Sequence, residues 1–433
     1  MRRRVLHVAA VLVGSVVLLA SLSYLSAPGA AAAVTAESVS SQSWADAAEA
    51  EPMRRRPTHT RTPTPTRTPT SVPTNTPVPS ATPTPGYGAD WRINSVPGSA
   101  TALIGVDVLS ANDVWAVGYD QSSGIPRTFA MHWDGTAWTV APTPNVGTGA
   151  NSLHSVSAVS SNDVWAVGYW SARTLTMHWD GTAWSIVSSP NPGLNENYLL
   201  GVAAVSANDV WAVGYYRSGP PYVALVMRWN GSAWNVVPSP VPNMFAALLT
   251  SVAVVSANDV WAVGYTYETS GSQAHTLTMH WDGSAWTVVP SPPFNQLYSI
   301  SAVSSNDVWA VGSTGVYPIA IHWNGTSWTT AAIPEPPTEE VYLNGVSAVS
   351  ANNAWAVGYF YSFEEARHVS WILRWDGSAW SRVPSPNADS ANTLLYRVGA
   401  ASASNVWAMG YTFDGTYRAH LQRYHDPCAK SDP

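Results

Sequence analysis

The sequence has a single cysteine in 433 residues, Cys428, close to its last residue. A lone cysteine excludes an intramolecular disulfide, so a folded part must be held together by packing; an intermolecular disulfide or a spare tail thiol are the roles left to it. Charge is scarce as well, with Asp, Glu, Lys and Arg making up 11% of the chain and a formal net charge of -7. The first 90 residues hold eight arginines and five acids, which leaves 12 basic and 22 acidic residues for the remainder. That remainder lacks the basic footprint a phosphate backbone requires, which excludes nucleic acid as a partner.

What is there divides the chain into unlike parts. Arg2, Arg3 and Arg4 precede an apolar run from Val5 to about Leu25, which gives way to Ala30, Ala31, Ala32 and Ala33. A positive start, an apolar middle and a small-residue end read as a secretory signal over residues 1–33. Roughly 18 apolar residues can also span a bilayer, so an uncleaved membrane anchor stays open. Either way the bulk of the protein is expected to be secreted or attached to the cell surface. Residues 34–87 are rich in Thr and Pro, as in Arg61-Thr62-Pro63-Thr64-Pro65. Such a segment cannot bury a core and is expected to be a disordered, extended linker that holds a globular head away from a wall or membrane.

From residue 88 the chain repeats. Trp-Ala-Val-Gly or a close variant recurs at Trp115, Trp165, Trp211, Trp261, Trp309, Trp355 and Trp407, at spacings of 46 to 52 residues. Six repeats carry a second signature, as in His132-Trp133-Asp134-Gly135-Thr136-Ala137-Trp138. Each repeat reads as four short strands: a small-residue strand such as Ser155–Val159, the Trp-Ala-Val-Gly strand, a third ending at Trp179, and a fourth from Trp184, the last two joined by a two-residue Asp-Gly hairpin. Four-stranded units of this length are propeller blades. The seventh repeat stops after its third strand, and Asp90-Trp91-Arg92-Ile93-Asn94 has the fourth-strand pattern. The expected fold is therefore all-β, a seven-bladed β-propeller over residues 88–427, closed by an N-terminal strand that completes the last blade, with a tail at 428–433. This placement accounts for 20 of the 23 tryptophans; Trp44, Trp170 and Trp371 fall outside it.

At these motifs the chain resembles secreted bacterial propellers of the kelch and galactose-oxidase-like group, and its Trp-Asp-Gly-Ser-Ala-Trp segments resemble those of propeller lectins. The resemblance implies architecture and a carbohydrate-binding role rather than an activity. The kelch Gly-Gly doublet is absent, the sialidase Asp-box spacing is not matched, and copper-radical chemistry would need a cysteine better placed than Cys428.

Strand direction puts the short Asn-Asp and Asp-Gly turns on one face. The loops between second and third strands, and those between blades, lie on the other, where they vary in length and carry aromatic and acidic residues. This variable face is the expected binding face. The ligand-binding residues expected there and at the axis are Asp107, His154, Trp170, Tyr198, Tyr298, Glu340, Tyr342, Trp371, Tyr396 and Arg397. Arg397 and Asp107 break the small-residue pattern of the first strands in neighbouring blades, and an ion pair between them would close the ring or hold a polar ligand. His132, His178, His280 and His322 precede third-strand tryptophans too far apart to share a metal; they are expected to be structural, bonding to a neighbouring blade. Calcium at the Asn-Asp turns is explained more simply by turn chemistry. No catalytic residue, metal or cofactor is called for.

Three functions are compatible with this pattern. The leading one is a non-catalytic binding module for a glycan or surface protein, presented as a monomeric head. The second is a polysaccharide hydrolase or lyase using carboxylates such as Glu339 and Glu364. The third is a structural surface-display protein.

Overall fold

The computed structural model describes residues 90–97, 101–240, 245–269, 273–334 and 340–426. The expected signal, the linker and Cys428 lie outside them. Among the described residues there are no helices, and 28 strands form seven antiparallel sheets of four strands each. Six sheets use four consecutive strands. The seventh takes Asn392–Ala400, Val406–Phe413 and Tyr417–His425 from the end of the chain and Asp90–Asn94 from the front. Trp91 pairs with Tyr424 in that sheet, as the sequence leads one to expect. The first strand of every blade lies against the first strand of the next, and blade one lies against blade seven. The ring is closed, and the edges left at the rim are short, three to five residues in each blade.

The blades interlock through indoles. Sheets that radiate from an axis diverge outward, so the gap between them needs large side chains towards the rim. Trp115 meets Trp179 and Trp184 of the next blade at ring-centroid distances of 5.1 and 5.3 Å. The same triplet recurs as Trp165 with Trp229 and Trp234, Trp211 with Trp281 and Trp286, Trp261 with Trp323 and Trp328, and Trp309 with Trp375 and Trp380. Between blades seven and one it is Trp407 with Trp133 and Trp138. Between blades six and seven, Trp355 meets Tyr424 at 4.7 Å and Trp91 at 5.4 Å. One contact in each triplet is nearly perpendicular, the geometry the ring quadrupole favours. It sets an indole edge against an indole face, where an N–H can meet a π-cloud. Both indole nitrogens of each perpendicular pair are buried with no oxygen acceptor.

The opposite face of each second-strand tryptophan is covered from its own blade. His132 lies on Trp115 at 4.5 Å and donates through Nε2 to the Asp113 carboxylate at 2.7 Å. His178 with Asp163, His280 with Asp259 and His322 with Asp307 repeat this, and Arg228 with Asp209 replaces the imidazole in blade three. These histidines are structural, but their partner is the aspartate of their own blade rather than a neighbouring one. The link to the neighbour is made by the aspartate itself, as Asp113 also accepts a hydrogen bond from Ser161 of blade two.

The Asp-Gly connections differ from the expected two-residue hairpin. Trp179 pairs with Trp184, so four residues form the loop. The reason is the side chain of Asp180, whose Oδ1 accepts from the backbone N–H groups of Thr182 and Ala183 at 2.8 and 2.9 Å. Gly181 follows at φ +93°, with Asn162 of the neighbouring turn so close that a Cβ would lie 2.9 Å from it. Glycine is needed there for both reasons.

Replacing Trp91 by Ala should cost about 3–5 kcal/mol, the usual penalty for emptying a buried indole site. Urea denaturation should show Trp91→Ala to be as damaging as Trp138→Ala, its counterpart in blade one. A Trp91→Ala midpoint indistinguishable from wild type would mean that the front strand does not close the ring.

Candidate functional site

The two ends of the ring differ in kind. On one, the Asn-bearing and glycine-bearing turns pack together in six blades with nearly identical geometry. On the other lie the connections between second and third strands and between blades, which vary from blade to blade. Five exposed apolar side chains, Ile93, Val140, Ile186, Val236 and Val288, lie on the outermost strands, and the rest divide between the two faces. Leu194, Phe245, Ile125, Val316, Tyr317 and Phe363 are all on the variable face, whereas the turn face exposes Leu109.

The first strands enter from the variable face, and every one is bulged at the same place. The register slips between Leu103 and Gly105, Leu153 and Ser155, Leu199 and Gly201, Leu249 and Ser251, Leu297 and Ser299, Leu343 and Gly345, and Leu395 and Arg397. The unpaired residues are Ile104, His154, Leu200, Thr250, Tyr298, Asn344 and Tyr396. A bulge re-aims its side chain, and here it sets seven side chains of six kinds in a ring at one level of the axis. Thr250 and Asn344 turn this into ring adhesion, donating to the carbonyls of Leu297 and Leu395 in the next blade at 2.8 and 2.9 Å.

Beyond the bulge, serines of one first strand accept backbone N–H groups of the next. Ser157 accepts from Ala204 at 3.1 Å, Ser301 from Ala348 at 3.0 Å and Ser347 from Ala400 at 3.1 Å. Asp107 occupies this position in blade one and accepts from Ala158 at 2.6 Å. Burial outweighs that hydrogen bond and pushes its carboxyl up to about 6. Arg397 sits one step nearer the variable face. It donates through Nη1 to the carbonyls of Asn344 at 2.8 Å and Tyr396 at 3.0 Å. The expected ion pair between Arg397 and Asp107 does not form, because the two occupy different levels of the channel and each is held by backbone of a different neighbouring blade. Burial lowers Arg397 to about 10, and burial with the adjacent Arg397 charge lowers His154 to about 3.

Above this ring lies a belt of tyrosines. The residue after each Trp-Ala-Val-Gly is Tyr119, Tyr169, Tyr215, Tyr265, Tyr359 and Tyr411, with Met in place of Val before Tyr411, and Ser313 in blade five. Tyr198 bridges Tyr169 at 4.8 Å and Tyr215 at 5.2 Å. Tyr342 lies against Tyr359 at 5.2 Å, and Tyr396 stacks on Tyr411 at 5.2 Å with their hydroxyls 3.1 Å apart. Tyr298 donates to Gln296 at 2.7 Å, and Gln296 donates to Tyr267 at 3.1 Å, joining blades four and five. Burial pushes Tyr169 and Tyr411 up to about 12, so both stay neutral donors near pH 7. The sequence reading passed over the belt because its tyrosines belong to a repeated motif and look like scaffold. Their position at the end of the second strand, towards the variable face, was the available signal.

The structure thus brings His154, Tyr198, Tyr298, Tyr342, Tyr396 and Arg397 towards one axial mouth, with Asp107 deeper along the channel. Glu340 is exposed on the variable face, and Trp170 is half-buried at the end of its strand with Arg173 5.8 Å from its ring. Trp371 does not join them. It pairs with Gly358 and is 1% exposed inside the core between blades five and six, a packing position rather than a surface one. Of the carboxylates suggested for hydrolysis, Glu339 lies outside the described residues, and Glu364 adjoins Glu365, which is paired with Arg367. Among the described residues, no group of three or more His, Cys, Asp or Glu could hold a metal.

No protein-family model matches the sequence, and no curated relative matches it. Among solved structures, the chain is similar in fold to YCF48 from Cyanidioschyzon merolae, with a TM-score of 0.53 and 16% identity over 79% of this chain and 100% of that one. YCF48 bound to D1 peptide aligns equally, at 0.53 and 16%, over 79% and 99%. The WD40 repeats of RRP9 align with a TM-score of 0.52 and 9% identity, over 77% of this chain and 97% of that one. At these identities the likeness establishes the fold.

Asp107 provides a pH signature. Its folded carboxyl is raised above the ordinary value near 3.9, so the folded state holds a proton that the unfolded state has lost between about pH 4 and pH 6. Stability from this group is present below pH 4 and is lost as pH rises to about 6. Asp107→Asn keeps the acceptor for Ala158 and cannot ionise. Its stability should match wild type near pH 4 and exceed it by pH 7. A stability difference that does not change over that range contradicts the assignment.

Proposed function

We propose that this chain is an exported, non-catalytic binding module that takes its ligand at the axial mouth of the variable face. The observation that carries this reading is the tyrosine belt above the bulged ring. It sets a rigid, mostly buried layer of aromatic side chains under the variable loops, while the other face is built of uniform, self-satisfied turns. Tyrosines offer large amphipathic contact area at low entropic cost. Leu194, Tyr317 and Phe363 stand exposed on separate loops of the same face, and exposed aromatic side chains are the kind that anchor protein interfaces. A fold-level neighbour solved with a peptide bound supports a peptide or protein ligand in preference to the glycan that the lectin-like repeats suggest. The Thr/Pro linker and apolar front suit display of the head at the cell surface.

The test is a binding screen of the purified protein against arrayed peptides and glycans, repeated with a Leu194→Ser, Tyr317→Ser, Phe363→Ser triple variant. These side chains are exposed, so the variant should fold normally and lose at least tenfold in affinity for whatever is bound. A matched change on the turn face, Leu109→Ser, should bind as wild type does. Equal loss from both, or none from either, contradicts the assignment of the face.

A further inference from the structure

Three Asn-Gly pairs occur in the sequence, Asn230-Gly231, Asn324-Gly325 and Asn344-Gly345. The first two stand in the turns that join third and fourth strands in blades three and five. Blades one, two, four and six carry Asp134, Asp180, Asp282 and Asp376 at that place. The asparagines keep the bonds of the aspartates. Asn230 Oδ1 accepts from the N–H groups of Ser232 and Ala233, each at 3.0 Å, and from the Ser232 hydroxyl at 2.8 Å. Asn324 Oδ1 accepts from the N–H groups of Thr326 and Ser327 and from the Thr326 hydroxyl at the same distances.

Three donors thus converge on one oxygen, and they favour negative charge on it. In blades one and two the turn hydroxyl and the two N–H groups hold the Asp134 and Asp180 carboxyls down at about 2. An asparagine in this seat has its carbonyl oxygen where a developing oxyanion is stabilised. The other reacting atoms are free. Among the described residues, neither Nδ2 of Asn230 and Asn324 nor the backbone N–H of Gly231 and Gly325 makes a hydrogen bond. Both asparagines are exposed to water, and each is followed by a nitrogen that no side chain shields.

We propose that Asn230 and Asn324 are deamidation sites, whose turns promote attack of the following glycine nitrogen on the side-chain amide carbon. Hydroxide takes the glycine amide proton, the nitrogen bonds to Cγ, and the charge that develops on Oδ1 falls on the three donors. The Cγ–Nδ2 bond then breaks, and ammonia leaves with a proton from water, which returns the hydroxide. Water opens the five-membered imide that remains. Opening at the bond between Cγ and the glycine nitrogen gives aspartate, the residue that four other blades carry in this seat. Opening at the backbone carbonyl gives isoaspartate, with one more atom in the main chain. The overall change is hydrolysis of an amide by water to a carboxylic acid and ammonia.

Asn344 has the opposite setting. It is 8% exposed, its Nδ2 donates to the Leu395 carbonyl at 2.9 Å, and Gly345 is paired with Val357 in the sheet. Among the described residues no donor reaches its Oδ1. The same dipeptide should therefore react in two places and not in the third, wherever on the head a ligand binds.

The experiment incubates the full chain at mildly alkaline pH, folded and in urea, and follows the three dipeptides by peptide mass spectrometry. In urea all three should deamidate at similar rates. In the folded chain Asn230 and Asn324 should react at least as fast as in urea, and Asn344 should stay intact. Ser232→Ala keeps both N–H groups and removes the hydroxyl. It should slow Asn230 about fivefold in the folded chain, less than a desolvated oxyanion donor is worth because the turn is exposed, and leave Asn324 unchanged. Thr326→Ala should do the reverse, and it decides should Ser232→Ala fail to fold. The proposal is overturned if Asn230 and Asn324 react more slowly folded than in urea, if Asn344 keeps pace with them in the folded chain, or if removing the hydroxyls leaves the rates unchanged.

Discussion

The structure depends on one repeated contact, a second-strand tryptophan wedged against two aromatic rings of the following blade. Sheets radiating from an axis leave gaps that widen outward, and a gap of that shape needs side chains graded from small to large. Serine, alanine and glycine dominate the first strands, and indoles fill the space further out. Each aromatic contact of this kind contributes about 0.5–1.5 kcal/mol beyond the area it buries. Each tryptophan is also backed by a His or Arg of its own blade, most of them tied to an aspartate. The repeated unit is thus a stack of aspartate, His or Arg, and indole that reaches from one blade into the next.

Rigidity of that kind frees the axial mouth for function. The turn face spends its polar groups on itself, as Asp180, Asp134, Asp282 and Asp376 each cap the backbone of their own loop. The variable face does not. Its bulged first strands aim seven residues of six kinds at one level of the channel, and most of these bond to neighbouring blades or pack among tyrosines. Arg397 and His154 depart from the repeat, whereas Asp107 takes the place and the bond of a serine in it. A burial-raised carboxyl, an unprotonated imidazole and an unpaired guanidinium on the same axis are expensive in a scaffold of serines and glycines. Such departures from local consistency are characteristic of functional positions.

The fold was legible because its determinants are local and repeated. Seven tryptophan motifs and the orphan strand at Trp91 were enough to count blades and to locate the closure. The short-turn geometry was read less well, since Asp180 caps a four-residue loop through side-chain bonds that the Asp-Gly dipeptide alone does not reveal. The histidines were correctly read as structural, yet their aspartate partners lie in the same blade, a pairing fixed by strand register rather than by sequence spacing. Trp371 looked like an exception to the repeat and is core, because strand alternation turned it inward beside Gly358. Arg397 and Asp107 were singled out by their oddity, but they stand two positions apart along equivalent strands, and each is held by the backbone of a different neighbouring blade. The tyrosine belt escaped notice because repetition hid it.

The account stands or falls on the closure of the ring by the front strand, since an open ring would leave the mouth without a fixed shape. Hydrogen exchange on the full chain, read by mass spectrometry, measures this directly. Amides of residues 90–94 and of their partners at 421–425 should exchange as slowly as the matching fourth and third strands of blade one, 138–140 and 131–133. Rapid exchange confined to residues 90–94 and 421–425, with the other blades protected, would contradict it.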